Sequence, residues 1–226
     1  MHFIDIWLGN LALDEKDLGK LHNLLDKHEQ QRASTFTLKV MRDRYVATHG
    51  LLRTILANYL NTNPAGLQFT VGEYGKPSLS TQQLYFNLSH TADRLAIVAS
   101  DLEQIGIDIE QIKPRSSLIQ LAERCFSTNE LAVWRSLPEH EQQPAFYQLW
   151  TQKEAFVKAI GRGIALGLDQ CEIDVSTAQF AKLPSEYGLP QDWRIIQLQL
   201  EMGFCGAVVA PNVEFPIKQS RIDTLI

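Results

Sequence analysis

The most informative hexapeptide in the chain is Ile105-Gly-Ile-Asp-Ile-Glu110. Side chains alternate across a strand, so Ile105, Ile107 and Ile109 face one way, toward a core, while Gly106, Asp108 and Glu110 face the other. Two like charges this close raise each other's energy unless a cation stands between them. A hard divalent ion with oxygen ligands would resolve the conflict, and the bare Gly106 is expected to leave room for it. A half-buried edge strand whose polar face meets water shows the same alternation.

A second segment answers the first. In Trp150-Thr-Gln-Lys-Glu-Ala-Phe-Val-Lys158 the spacing puts Trp150, Glu154 and Lys158 on one helix face. Glu154 offers another hard oxygen ligand and a candidate general base. Lys158, one turn further on, suits a phosphate. A surface Glu–Lys pair accounts for those two residues equally well, but not for Trp150 on the same stripe. Gly161-Arg-Gly163 follows a helix instead of preceding one, so it reads as a helix stop and not as a phosphate-cradling loop.

Three further places carry groups that suit an anion. Tyr85-Phe-Asn-Leu-Ser-His90 ends an apolar strand with Asn87, Ser89 and His90. Glu73-Tyr-Gly-Lys-Pro77 is a turn bearing Lys76. Arg44 and Arg53 lie on a long helical stretch, where guanidinium groups match phosphate oxygens but also serve as ordinary solvated residues.

The elements needed to hold these residues are legible from periodicity. Strands are predicted at Phe3 to Leu8, Leu67 to Val71, Leu84 to Leu88 and Leu95 to Ser100, then at Ile105 to Glu110, Glu172 to Val175, Arg194 to Glu201 and Cys205 to Ala210. Helices are predicted at Asp14 to Lys27, Lys39 to Leu60, Leu118 to Cys125, Asn129 to Ser136 and Pro144 to Ile160. The two halves share an order of strand, helices, long helix, then strands, with a boundary near Asp101 to Gln104. Asp43-Arg-Tyr-Val-Ala47 echoes Glu154-Ala-Phe-Val-Lys158, and Leu95 to Ala99 echoes Gly206 to Ala210. A pseudo-repeat or chance likeness between short apolar segments accounts for these echoes.

The 226 residues suffice for one large domain or two small ones, and 45% hydrophobic with 21% charged residues is ordinary for a soluble protein. A net charge of −5 argues against a nucleic-acid binder, so an anionic ligand must be held by local cations or a metal. Cys125, Cys171 and Cys205 have no Cys-x-x-Cys spacing and read as reduced thiols of a cytoplasmic protein. The N-terminus shows no signal-peptide pattern, and no apolar run approaches the ~20 residues of a membrane helix.

Taken together, Glu73 to Pro77, Phe86 to His90, Ile105 to Glu110, Glu123-Arg-Cys-Phe-Ser127 and Trp150 to Gly163 resemble the Sfp-type 4'-phosphopantetheinyl transferases, in the family's order and approximate spacing. The resemblance implies a pseudo-two-fold α+β fold, two similar halves with the active site between them, and a monomer. Residues 1–103 would carry the nucleotide contacts, and residues 104–226 the metal carboxylates and the carrier-protein docking surface. It implies Mg2+ held by Asp108, Glu110 and Glu154, and Lys158 on the pyrophosphate of coenzyme A. Ser89 and His90 would contact phosphates, His90 reaching the 3'-phosphate with Arg44, while Lys76 and Pro77 lie against the adenosine end. Where the family has basic residues before the first long helix, this chain reads Glu29-Gln-Gln-Arg32, leaving only Arg32.

The implied reaction moves phosphopantetheine from coenzyme A to a serine of an acyl or peptidyl carrier protein. Asp108, Glu154 and Lys158 would form the catalytic group, with Glu154, or a water it orients, as base. The carrier is expected to dock on Gln111 to Arg124, where Lys113, Arg115 and Arg124 accompany Leu118, Ile119 and Leu121. A non-catalytic coenzyme A-binding module and a Mg2+-dependent phosphohydrolase are the rival readings; neither nucleic acid nor membrane is an expected partner.

Overall fold

The computed structural model describes residues 2–81 and 83–222. The first half runs β1 (Ile4–Asn10), α1 (Glu15–His22), α2 (Lys27–Ser34), α3 (Lys39–Leu60), β2 (Phe69–Val71), β3 (Pro77–Leu79), β4 (Tyr85–Thr91) and β5 (Arg94–Ser100). The second repeats that order as β6 (Gly106–Gln111), α4 (Leu118–Cys125), α5 (Thr128–Ser136), α6 (Glu139–Ala159), β7 (Glu172–Asp174), β8 (Gln179–Lys182), β9 (Trp193–Gln197) and β10 (Phe204–Pro211). A last strand, β11 (Ile217–Arg221), returns to the first half and pairs in parallel with β1. The sheets read β11-β1-β5-β4 and β6-β10-β9, with β2-β3 and β7-β8 as matching small hairpins.

Alternation of side chains builds the layers. Ile4, Ile6, Ala96 and Val98 of one sheet meet Ile105, Ile107, Ile109 and Val208 of the other in a shared core. On the outer faces, Leu95, Ile97 and Ala99 pack under the first helical layer with Leu51 and Ile55. Ala207 and Val209 pack under the second with Phe156 and Val157. The fold is therefore helix, sheet, sheet, helix, with a seam between the halves where β4 meets β6.

The repeat is most specific in two buried cations. Asp26 and Ser127 each open a helix with a capping box whose third residue is a glutamate, Glu29 or Glu130. Each glutamate also receives a cation from the long helix of its half. Arg53 donates to Glu29 at 2.7 Å and to Asp26 at 2.7 Å. Lys153 donates to Glu130 at 2.5 Å and to the carbonyls of Cys125, Leu168 and Cys171. Arg53 follows Glu29 by 24 residues and Lys153 follows Glu130 by 23.

This pairing corrects the register expected from sequence. It sets Arg53, not Asp43 to Ala47, opposite the Lys153–Lys158 stretch. The strand echo is one residue out of step, because Ile97 faces the helices while Val208 and Ala210 face the shared core. The helix predicted over Asp14 to Lys27 stops at His22, and a second helix that the prediction missed, α2, starts at Lys27 because the Asp26 carboxylate accepts from the Glu29 N–H. The helix predicted from Pro144 starts a turn earlier, at Glu139. Short strands β3, β8 and β11 escape prediction.

No cysteine is disulfide-bonded. Among the described residues, no helix is long and apolar enough to cross a membrane.

Candidate functional site

One edge of β6 pairs with β10; among the described residues the other has no partner strand. Side chains of β4 take that place. Asn87 Oδ1 accepts from Ile107 N at 3.0 Å, Ser89 Oγ from Ile109 N at 3.3 Å and Thr91 Oγ1 from Gln111 N at 3.3 Å. The rungs satisfy buried amides that would otherwise lose their hydrogen bonds. They bring Asn87, Ser89 and Thr91, the period-two face of β4, against the polar face of β6.

The hydroxyls also reach the carboxylates. Ser89 Oγ donates to Asp108 Oδ1 at 2.7 Å and Thr91 Oγ1 to Glu110 Oε2 at 3.0 Å. Helix α6 closes the other side. Lys158 Nζ donates to Asp108 Oδ1 at 2.6 Å and to the Ile107 carbonyl at 3.3 Å. Gly106 has a role different from the one its sequence suggests. A Cβ there would lie 2.0 Å from the Ala155 carbonyl oxygen and 2.4 Å from Ala159 N. The space beside it holds the backbone of α6, not a cation, and the glycine lets strand and helix touch.

Asp108 and Glu154 are only 5% and 8% exposed, and Asp108 Oδ2 and Glu154 Oε1 have no hydrogen-bond partner among the described residues. Burial, then the charges of Asp108 and Glu110, push the Glu154 carboxyl up to about 7, with Lys158 opposing. Burial and the Asp108 charge likewise raise Glu110. Burial raises Asp108 against the pull of Lys158 and Ser89. Among the described residues, no three His, Cys, Asp or Glu side chains stand close enough to hold a metal ion as they are. The donor chemistry nonetheless fits a hard divalent cation: three mutually repelling carboxylates, two with orphaned buried oxygens.

The other sequence-predicted residues divide between the seam and the surrounding cleft. Ser89 faces Asp108. His90 alternates to the opposite side of β4, is solvent-exposed at its edge, and has its pKa lowered by partial enclosure, then by Lys158, with Arg44 and His49 adding to the effect. Arg44 Nε and Nη2 donate to Asp93 Oδ1 at 2.9 and 2.8 Å. Lys76 bridges the halves by donating to the carbonyls of Ile105 at 3.1 Å and Ala159 at 2.9 Å, and burial pulls its pKa down to about 8. Lys76 and Pro77 line a 410 Å³ cleft with Tyr85, Glu103 and Gly161. Arg53, a phosphate candidate by type, is wholly buried in its pair with Asp26 and Glu29, away from the seam. Trp150 stacks on Phe146 with ring centroids 5.8 Å apart.

Sequence reasoning missed Thr91, although the step from Ser89 to the next residue on the same strand face would have found it. It also missed Arg162, which donates to the hydroxyls of Tyr74 at 2.6 Å and Tyr187 at 3.1 Å and so ties the Lys76 turn to the second half. No local pattern announces that contact.

Residues 14–103 match the 4'-phosphopantetheinyl transferase N-terminal family, and residues 104–209 match the 4'-phosphopantetheinyl transferase superfamily. The chain is 36% identical over 199 residues to the 4'-phosphopantetheinyl transferase HetI of Nostoc sp., covering 86% of this chain and 82% of that protein. It is 33% identical over 208 residues to the transferase ffp of Bacillus subtilis, covering 90% of each, and 28% identical over 207 residues to Sfp of the same species (strain 168), again covering 90% of each. On the extent of these matches, the chain belongs to the 4'-phosphopantetheinyl transferase superfamily.

Proposed function

We propose that this enzyme transfers the 4'-phosphopantetheine group of coenzyme A to a serine hydroxyl of an acyl or peptidyl carrier protein, releasing 3',5'-ADP. The observation that supports this reading of the site is the meeting at the seam of Asp108 and Glu110 from β6 with Glu154 and Lys158 from α6. Asp108, Glu110 and Glu154 would hold a Mg2+ ion, which when bound supplies positive charge to the pyrophosphate. Lys158, already within reach of Asp108, would offset charge developing on the leaving 5'-phosphate of 3',5'-ADP, the dominant need in phosphoryl transfer.

The serine oxygen forms a bond to the β-phosphorus as the bond to the bridging oxygen breaks, and 3',5'-ADP carries away that electron pair. Glu154, or a water it orients, would take the serine proton. His90 and Arg44 would take the 3'-phosphate, and Ser89, whose one hydroxyl hydrogen goes to Asp108 in the ligand-free protein, would turn it to a phosphate oxygen when coenzyme A binds. Lys76 and Pro77 would border the adenosine end in their cleft. Residues 1–103 thereby supply nucleotide contacts and 104–226 the carboxylates.

Carrier docking falls to the segment from Gln111 to Arg124. Lys113, Arg115 and Arg124 are exposed there beside exposed Ile119, a mixture that complements an acidic, partly apolar helix. We propose a monomer, acting in the reducing cytoplasm that the unpaired cysteines suit.

Mass spectrometry of a purified carrier domain incubated with this protein, coenzyme A and Mg2+ tests the reading. The expected product is a carrier heavier by one phosphopantetheine, absent with Asp108→Ala, whose melting remains cooperative. Coenzyme A cleavage without carrier labelling would instead indicate a phosphohydrolase, and neither product a binding module.

A further inference from the structure

Ser89 and Thr91 repeat one arrangement along the seam. Each hydroxyl accepts from a β6 amide 20 residues ahead and donates to the carboxylate 19 residues ahead. A hydroxyl has one hydrogen to give, so the amide on one side and the carboxylate on the other fix its direction. Asn87 occupies the preceding rung, where the residue in the carboxylate position is Gly106. The hydroxyls engage one oxygen of each carboxylate, and Asp108 Oδ2 is left buried without a partner.

The two carboxylates differ in how they are held. Asp108 is fixed by both Ser89 and Lys158. Among the described residues, Thr91 is the only side chain that hydrogen-bonds Glu110. Glu110 is longer and more exposed than Asp108, so its carboxylate has more conformations to lose. A single donor anchored to the backbone of the neighbouring residue removes that freedom before any ligand arrives.

We propose that Thr91 is a positioning residue for Glu110: its hydroxyl, locked to the Gln111 amide, holds the Glu110 carboxylate turned into the seam so that it joins Asp108 in accepting one hard divalent cation. This rests on the reading of Asp108, Glu110 and Glu154 as a cation-binding set, and adds a residue to it that does not touch the ion. Hydrogen bonds behind a metal ligand orient it and tune its basicity, and losing one typically weakens metal affinity by about 10- to 100-fold.

The test is Mn2+ titration followed by electron paramagnetic resonance, with and without coenzyme A, on wild type, Thr91→Val, Thr91→Ser and Asp108→Asn. Valine keeps the volume and removes the hydroxyl; serine keeps the hydroxyl. The expected result is Mn2+ binding weakened about tenfold or more in Thr91→Val and near wild type in Thr91→Ser, with transfer by the valine variant recovered at saturating Mg2+. Wild-type Mn2+ affinity in Thr91→Val would overturn the proposal, as would equal weakening by serine and valine. Thr91→Ala serves the same comparison if the valine variant does not fold. Loss of binding in Asp108→Asn but not in Thr91→Val removes only the positioning role, whereas wild-type affinity in both removes the cation reading as well.

Discussion

Glu154 is buried beside two other carboxylates, and its ionisation is opposed by all three circumstances. Its carboxyl stands at about 7 against an ordinary glutamate value of 4.5, so in the metal-free protein the folded state holds the proton more tightly than the unfolded chain. Below pH 4.5 both states are protonated and the penalty is absent. As pH rises toward 7 the unfolded chain ionises first and stability falls, and above 7 the full penalty is present. Glu154→Gln should therefore stabilise the metal-free protein at pH 8 by on the order of 2 kcal/mol, with the gain falling to about a quarter of that at pH 5. Thermal melts in EDTA at both pH values check this; an equal effect at each pH would contradict it. The same residue scale shows what local sequence could reveal. The alternation around Asp108 and the four-residue step from Glu154 to Lys158 are both patterns of one element. The reason for Gly106 was hidden, because the atoms it makes room for belong to α6.

Elements in this fold are pinned by buried charge as much as by apolar packing. Lys153 and Glu130 are wholly enclosed, and Glu130 also caps α5 and accepts from the Ile173 amide. Removing one partner of such a pair leaves an uncompensated buried charge at a cost of about 3–5 kcal/mol. Lys153→Met should lower stability by about that amount, and adding Glu130→Gln, which removes the charge while its one acceptor oxygen keeps the cap and gives up the Ile173 amide, should restore part of it. Urea unfolding of both variants decides the matter; a double variant weaker than Lys153→Met would show that the charge is not the source of the loss. The helices holding these residues were readable from apolar spacing and caps, whereas the pair itself was not, since 23 residues separate its members. Short strands such as β8 and β11 escaped for a related reason: three to five residues do not establish a period, and their identity comes from the strand they join.

At the scale of the whole molecule, two copies of one topology meet face to face, and the candidate site lies where their equivalence breaks down. β4 offers hydroxyls to β6 in place of backbone, and α6 brings Glu154 and Lys158 to the same line. The repeat was visible in the order of elements, but its register became clear only once the two buried cations could be aligned. The central claim is that Asp108, Glu110 and Glu154 serve one divalent cation when coenzyme A is bound. A crystal structure of the protein with coenzyme A and Mn2+, with the ion located by anomalous scattering, tests it directly. A single manganese peak bonded to oxygens of all three side chains is the expected result. Manganese bound elsewhere, or at this seam by fewer than all three, would contradict it.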